Sequence, residues 1–230
     1  EYFSMKVILF GATGMVGQCV LTECLKSSII KEILVVGRKS CGIESEKIKE
    51  IIHNDFMDYS EIESQFQGYD ACFYCLGVSS VGMSKDQYYD ITVNYTAAIA
   101  EVLGNLTPAI SFGFISGAGT DETEKSRTNW ARVKGKAENL LRQYPFKSLS
   151  LHRPAYIKAL KGIKVSYATA KYFDWLIYPL VKTLWPKYVI TSEEMGQAMI
   201  NSMFQKEKVR ILENNEMKRL AGKDTPITTS

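Results

Sequence analysis

Nowhere in the 230 residues do 18 uncharged apolar residues follow one another, so a membrane-spanning helix is not expected. The amino terminus lacks a basic stretch leading into an apolar run and a small-residue cleavage site, which argues against export and makes the cytoplasm the expected compartment. Residues 1–4 precede Met5 and are set aside from the fold argument. Histidine is scarce, with two residues (His53 and His152), and neither has ligand-like neighbours, so no metal site is expected. Five cysteines are an odd number in a chain too large to need staples, which points to a reducing compartment. The net charge is only +3, and Lys and Arg are interspersed with Asp and Glu, so nucleic acid is not an expected partner. There is no internal repeat and no low-complexity tract, and 46% hydrophobic against 23% charged residues is ordinary globular composition.

What is present is an alternation. Residues 5–10, MKVILF, form a short apolar run that passes straight into the glycines of GATGMVG at 11–17. Helical spacing follows from Met15 to Lys26, and 32–36 is again strand-like. Further strands are expected at 48–53, 70–75, 109–116 and 148–152, with helices at 59–66, 86–103 and 129–143 between them. Strands such as AISFGFIS are apolar at nearly every position, as burial on both faces demands. The expected fold is therefore α/β: one doubly wound parallel sheet spanning 1–230, with a small helical cap on the substrate side at 155–205. A helix at 192–205 and a last strand at 208–212 complete the pattern.

Glycines where a strand becomes a helix let the first helical amides face an anion, as in dinucleotide-binding turns. Gly11, Thr13, Gly14, Met15, Val16 and Gly17 form such a turn, in the spacing GxxGxxG. About 20 residues on, a carboxylate would read a free ribose 2′-hydroxyl and a cation a 2′-phosphate. The second strand ends in Gly37, Arg38 and Lys39, so NADP is the expected cofactor and NAD the alternative. A solvated basic loop would look the same. Asp55 and Gly77 follow the third and fourth strands, where ligands of parallel sheets bind, although Asp55 equally suits a turn cap.

GATGMVG, Asp55-Phe56, Cys75-Leu76-Gly77, Val93-Asn94, Ile115-Ser116-Gly117-Ala118-Gly119, the run from Val133 to Glu138 and Arg153-Pro154 together resemble the short-chain dehydrogenase/reductase superfamily. More narrowly, they resemble its atypical branch of small NAD(P)-binding proteins, likened to nucleoside-diphosphate-sugar epimerases and Tat-interacting oxidoreductase-like proteins. The resemblance implies a Rossmann fold and cofactor contacts at Phe56, Cys75, Leu76, Gly77, Lys134 and Pro154. It places Ser116, Lys134 and Asn94 at the family's catalytic Ser, Lys and Asn positions. Four residues before Lys134 the family carries a Tyr, and here Trp130 stands instead. An indole N–H donates but has no accessible ionisation, so Trp130 can fix a substrate or pack a helix but cannot do acid/base work.

The function this implies is an NADP(H)-binding oxidoreductase or sugar-nucleotide-modifying enzyme acting on a small molecule the sequence does not name. The alternative is a non-catalytic NADP(H)-sensing regulator or scaffold acting through protein contacts. Family members pair through two long helices, here 86–103 and 129–143, which offers a homodimer. The aromatic tract of Tyr167, Tyr172, Phe173, Trp175, Tyr178, Trp185 and Tyr188 reads as a helix packed over the sheet edge, with a lid or a membrane- or partner-touching surface as alternatives. Cys72 and Cys75 make a CxxC inside a buried strand, facing opposite sides, which excludes a redox pair. Ser116 lacks the GxSxG context of a hydrolase.

Overall fold

A computed structural model describes residues 4–106, 110–160, 162–163 and 183–222. The first strand, β1 (Met5–Phe10), leads through the glycine turn into α1 (Met15–Lys26), β2 (Ile30–Gly37) and β3 (Ile48–Ile52). After a 3₁₀ turn at Glu63–Phe66 come β4 (Ala71–Tyr74) and α2 (Lys85–Tyr89), then a π-helical turn at Asp90–Asn94 running directly into α3 (Tyr95–Leu106). The chain continues through β5 (Ser111–Ile115), α4 (Asn129–Leu141), β6 (Ser148–Arg153) and β7 (Tyr156–Lys158). Beyond the aromatic tract lie β8 (Val189–Thr191), α5 (Ser192–Ser202), β9 (Val209–Glu213) and α6 (Asn214–Ala221).

Seven parallel strands form one sheet in the order β3-β2-β1-β4-β5-β6-β9, which is the doubly wound Rossmann arrangement expected from the alternation. Successive strand residues face opposite sides. Ile8, Phe10, Cys72 and Tyr74 join one core with Ile99, Leu103, Val133 and Ala137 of α3 and α4. Val7, Leu9, Phe73 and Cys75 join the other with α1, α5 and α6. Cys72 and Cys75 thus lie in different cores, and burial pushes both thiols well up, so neither is a ready thiolate.

The helix expected at 59–66 is instead a series of turns. Asp58 caps Ser60 N, and Ile62 N and Gln65 N bond three residues back, to Tyr59 and Ile62. Tyr59, Ile62 and Phe66 still reach the core around Phe10, because turns with three-residue bonds present nearly the same side-chain spacing as a helix. Within the span 155–205, only parts of the chain are described. Met195, Ala198 and Met199 put α5 into the layer that covers the sheet beside α1. β7 and β8 pair in parallel as a separate two-stranded sheet, and 161 and 164–182, with Tyr167, Tyr172, Phe173, Trp175 and Tyr178, lie outside the described residues. No helix among the described residues is long and apolar enough to cross a membrane, and they hold no group of metal-binding side chains.

Candidate cofactor pocket and active site

The turn after β1 is shaped by two glycines that leave no room for a side chain. Gly11 has φ +77°, and a β-carbon there would lie 2.5 Å from the Cys75 carbonyl oxygen, so β1 and β4 end side by side. A β-carbon on Gly17 would lie 2.0 Å from the Gly11 oxygen, so α1 packs directly on the turn. Gly14 is the N-cap of α1 and offers no side chain to bond the first amides, while Met15 and Val16 begin the helix with no acidic residue in its first turn. Those amides and the positive end of the helix dipole remain available to an anion.

Over this turn lies a cavity of about 500 Å³. Of the residues expected at a cofactor, Gly11, Thr13, Arg38, Lys39, Phe56 and Leu76 line it; Ala12, Val35, Gly37 and Asn54 line it too and were not anticipated. Arg38 and Lys39 have no ion-pair partner among the described residues; the nearby Glu50 is spent on Ser40 Oγ and the Cys41 amide, holding the loop that carries them. Asp55 does not line the cavity. Its carboxylate accepts from Met57 N at 2.9 Å, and its carbonyl and that of Asp58 contact His53 Nε2, so it is the turn cap that the sequence left open. The Cys75 thiol turns away toward Met199 Sδ, 3.9 Å distant, leaving only its backbone beside Gly11.

The other half of the carboxyl edge is built on β5, β6 and α4. The chain after β5 is zipped onto the end of β6, with Ser116 N bonding the His152 carbonyl and Ala118 N the Pro154 carbonyl. Pro154 is thereby an anchor of this loop and does not line the cavity. Thr120 Oγ1 donates to Gly117 O at 2.8 Å, so its contact with Ser116 Oγ, also 2.8 Å, uses the serine proton. Ser116 is left with lone pairs to offer, has no histidine partner, and is not a primed nucleophile. Trp130 lies against the loop: β-carbons on Gly117 and Gly119 would come within 3.6 and 3.4 Å of its ring.

Lys134 reaches under this loop. Its Nζ donates to Ile115 O at 2.9 Å, sits 5.0 Å from the Phe114 ring centre, and would be 3.9 Å from a β-carbon on Gly77. It therefore spans the ends of β4 and β5, beside the point where the strand order reverses. Burial pushes its pKa down to about 8, and the charge of Glu138 opposes the shift. Glu138 does not pair with it, because both carboxylate oxygens are held by Arg153 Nε and Nη2. Asn94 is not brought to this group. It ends the π turn, donates to Asp90 Oδ1 at 2.7 Å and faces a separate groove beside Ser60, Glu63 and Glu101. Thr120 and Asn54 carried no sequence signal that set them apart, and Glu138 and Arg153, though within the family-like motifs, carried none that paired them.

The model of the NAD dependent epimerase/dehydratase family matches residues 7–143. Protein HTATIP2 of Rattus norvegicus is 25% identical over 236 residues, covering 98% of this chain and 93% of its own. The mitochondrial protein FMP52-2 of Scheffersomyces stipitis is 30% identical over 206 residues, covering 84% of each. Among solved structures, a UDP-N-acetylglucosamine 4-epimerase from Methanobrevibacter ruminantium superposes with a TM-score of 0.68 at 15% identity, covering 91% of this chain and 76% of that one. The Bordetella bronchiseptica enzyme WbmF, solved in complex with NAD+, gives 0.69 at 13% identity, covering 95% and 77%. At such identities the structural likeness speaks for the fold alone.

Proposed function

The chain belongs to the NAD dependent epimerase/dehydratase family, and from that premise we propose that it binds NADP(H) in preference to NAD(H) and works on a small carbonyl or hydroxyl compound, a sugar nucleotide among the candidates. One observation carries the cofactor preference: two cations without an acidic partner, Arg38 and Lys39, line the cavity whose floor is the glycine turn. The cavity fits the group. Its floor has no space for side chains at Gly11 and Gly17, the first amides of α1 are uncapped, and Phe56 and Leu76 supply apolar walls. The turn from Gly11 to Gly17 would hold the pyrophosphate, Arg38 and Lys39 the 2′-phosphate, and Lys134 the nicotinamide ribose beside Gly77. A bound nicotinamide supplies hydride exchange. Ser116 orients a substrate hydroxyl or water through its free lone pairs, and Trp130 shields the loop from solvent. The described parts of 155–205 outside α5 stand on the substrate side of this arrangement.

Calorimetric titration with NADPH and NADH tests the reading. Losing charge-assisted bonds worth about 1.5–3 kcal/mol, Arg38→Ala should weaken NADPH roughly 10- to 150-fold and leave NADH nearly unchanged. Equal loss for both nucleotides would sink the 2′-phosphate assignment, and no binding of either would sink the cofactor assignment.

The placement of Trp130 against Gly117 and Gly119 supports a second reading, in which nucleotide occupancy is sensed and no substrate is turned over. Trp130→Tyr separates the two: carbonyl reduction that appears only in the variant supports the sensor, and turnover by the native chain supports the enzyme.

A further inference from the structure

We propose that Lys134 is the group that exchanges a proton with the substrate oxygen in this site, which makes it a catalytic residue as well as a cofactor contact. The inference rests on the cofactor reading above and deepens it. Adding hydride to a carbonyl carbon leaves an oxyanion that needs a proton from a nearby donor. Of the described side chains placed at this edge above, all but Lys134 are committed. Ser116 donates its O–H to Thr120 Oγ1, and Thr120 donates its own to Gly117 O. Trp130 carries an N–H that does not ionise. Glu138 and Arg153 hold each other in a buried two-point pair. His152 is sealed in the sheet, with neither ring nitrogen in a hydrogen bond.

The described groups on the elements packed against α4 are held elsewhere. From α2, Tyr88 is buried with its phenol pushed up by burial, and Tyr89 lies under Lys136. From the π turn, Asp90 takes the Asn94 amide. From α3, Tyr95 packs at a tilt against Phe56, while Glu101 faces the outer groove. Lys134 keeps N–H bonds to spare: its ammonium has one hydrogen bond, to Ile115 O, and a ring, and its nearest carboxylate is taken. An ammonium held this way gives up a proton near neutral pH, and the pKa of about 8 agrees.

The step balances. In the reducing direction, a bound dihydronicotinamide would supply the hydride for the new C–H bond, with the carbonyl π pair moving onto oxygen. A Lys134 N–H bond breaks as the O–H bond forms, leaving alcohol, oxidised nicotinamide and a neutral amine, which regains its proton from water. The reverse direction uses the neutral amine as base.

Titration calorimetry with NADP+ and NADPH, at pH 7, 8 and 9 in two buffers of different ionisation heat, tests this without a substrate. The cationic ring of NADP+, bound beside Lys134, would favour the amine, so the native chain should release protons near pH 8 on binding NADP+ and fewer on binding NADPH. Lys134→Arg, which stays charged, and Lys134→Gln, which keeps a donor for Ile115 O, should both bind without that release. Binding with no release near pH 8, or release undiminished in both variants, overturns the inference and leaves the cofactor reading standing. Failure of either nucleotide to bind overturns both. The native comparison of the two nucleotides needs no variant, so it decides the matter even where a substitution fails to fold.

Discussion

Acid should weaken this fold through a single buried histidine. His152 lies in β6 with no exposed surface; a β-carbon on Gly113 would sit 3.7 Å from its Cε1, and Met199 closes the other side of that glycine. Burial pushes its pKa from 6.5 down to about 4, with carbonyls of Phe114, Ser150 and Ala198 opposing only weakly. Between those values the unfolded chain binds the proton and the folded chain does not, so stability falls as pH drops from 6.5 toward 4. At about 1.4 kcal/mol per pH unit, the full window is worth about 3 kcal/mol, and by pH 4.5 about 2.5 kcal/mol of it is gone. Urea unfolding of the native chain and of His152→Leu, each at pH 7.5 and 4.5, isolates the effect. The substitution shifts stability at both pH values, so the informative quantity is the change between them. That change should be about 2.5 kcal/mol smaller in the variant. Equal changes in the two proteins would refute the reasoning and mean that His152 is protonated in the fold.

Other expectations follow from the same geometry. Gly17→Ala must push α1 off the Gly11 carbonyl, and calorimetry should show NADPH affinity reduced at least roughly tenfold while circular dichroism still reports α/β structure. Glu138→Gln leaves the Arg153 guanidinium buried against a neutral amide and should cost about 3 kcal/mol in urea unfolding; a loss below about 1 kcal/mol would mean that Glu122 and Glu213, each 3.8 Å from Arg153, take over. The nucleotide titrations of Arg38→Ala and of the Lys134 variants complete the set.

The layer pattern was legible because burial on both sheet faces leaves strands such as Phe112–Ile115 apolar at almost every position, and because glycines at 11 and 17 have few other uses between a strand and a helix. Arg38 and Lys39 were readable for the same reason: a short turn after a buried strand must face the carboxyl edge. Asp55 shows the limit. Its type and position suit either a ribose contact or a turn, and only the backbone of Met57 decides between them, while its neighbour Asn54 lines the cavity. Tyr59, Ile62 and Phe66 misled by spacing, since 3₁₀ turns and helices present similar faces. The commitment of the Ser116 proton was out of reach because it depends on Thr120, a residue brought back by a turn with no signature of its own.

The π turn at Asp90–Asn94 has a bearing on how this chain can change over time. Its bonds close over one more residue than those of the α-helices it joins, and the wider turn takes up that surplus between α2 and α3. Tyr88 and Val93 before the join and Ile99 and Leu103 after it all reach the same core. Because the wider turn fits its extra residue into nearly the same rotation, removing one residue from 90–94 would give one continuous α-helix with Tyr88 still facing the core. The same deletion in α2 or α3 would rotate the flanking residues by about 100° and swing core side chains outward. Relatives with this core can therefore differ by one residue between Tyr88 and Ile99, with a continuous α-helix where this chain has the π turn.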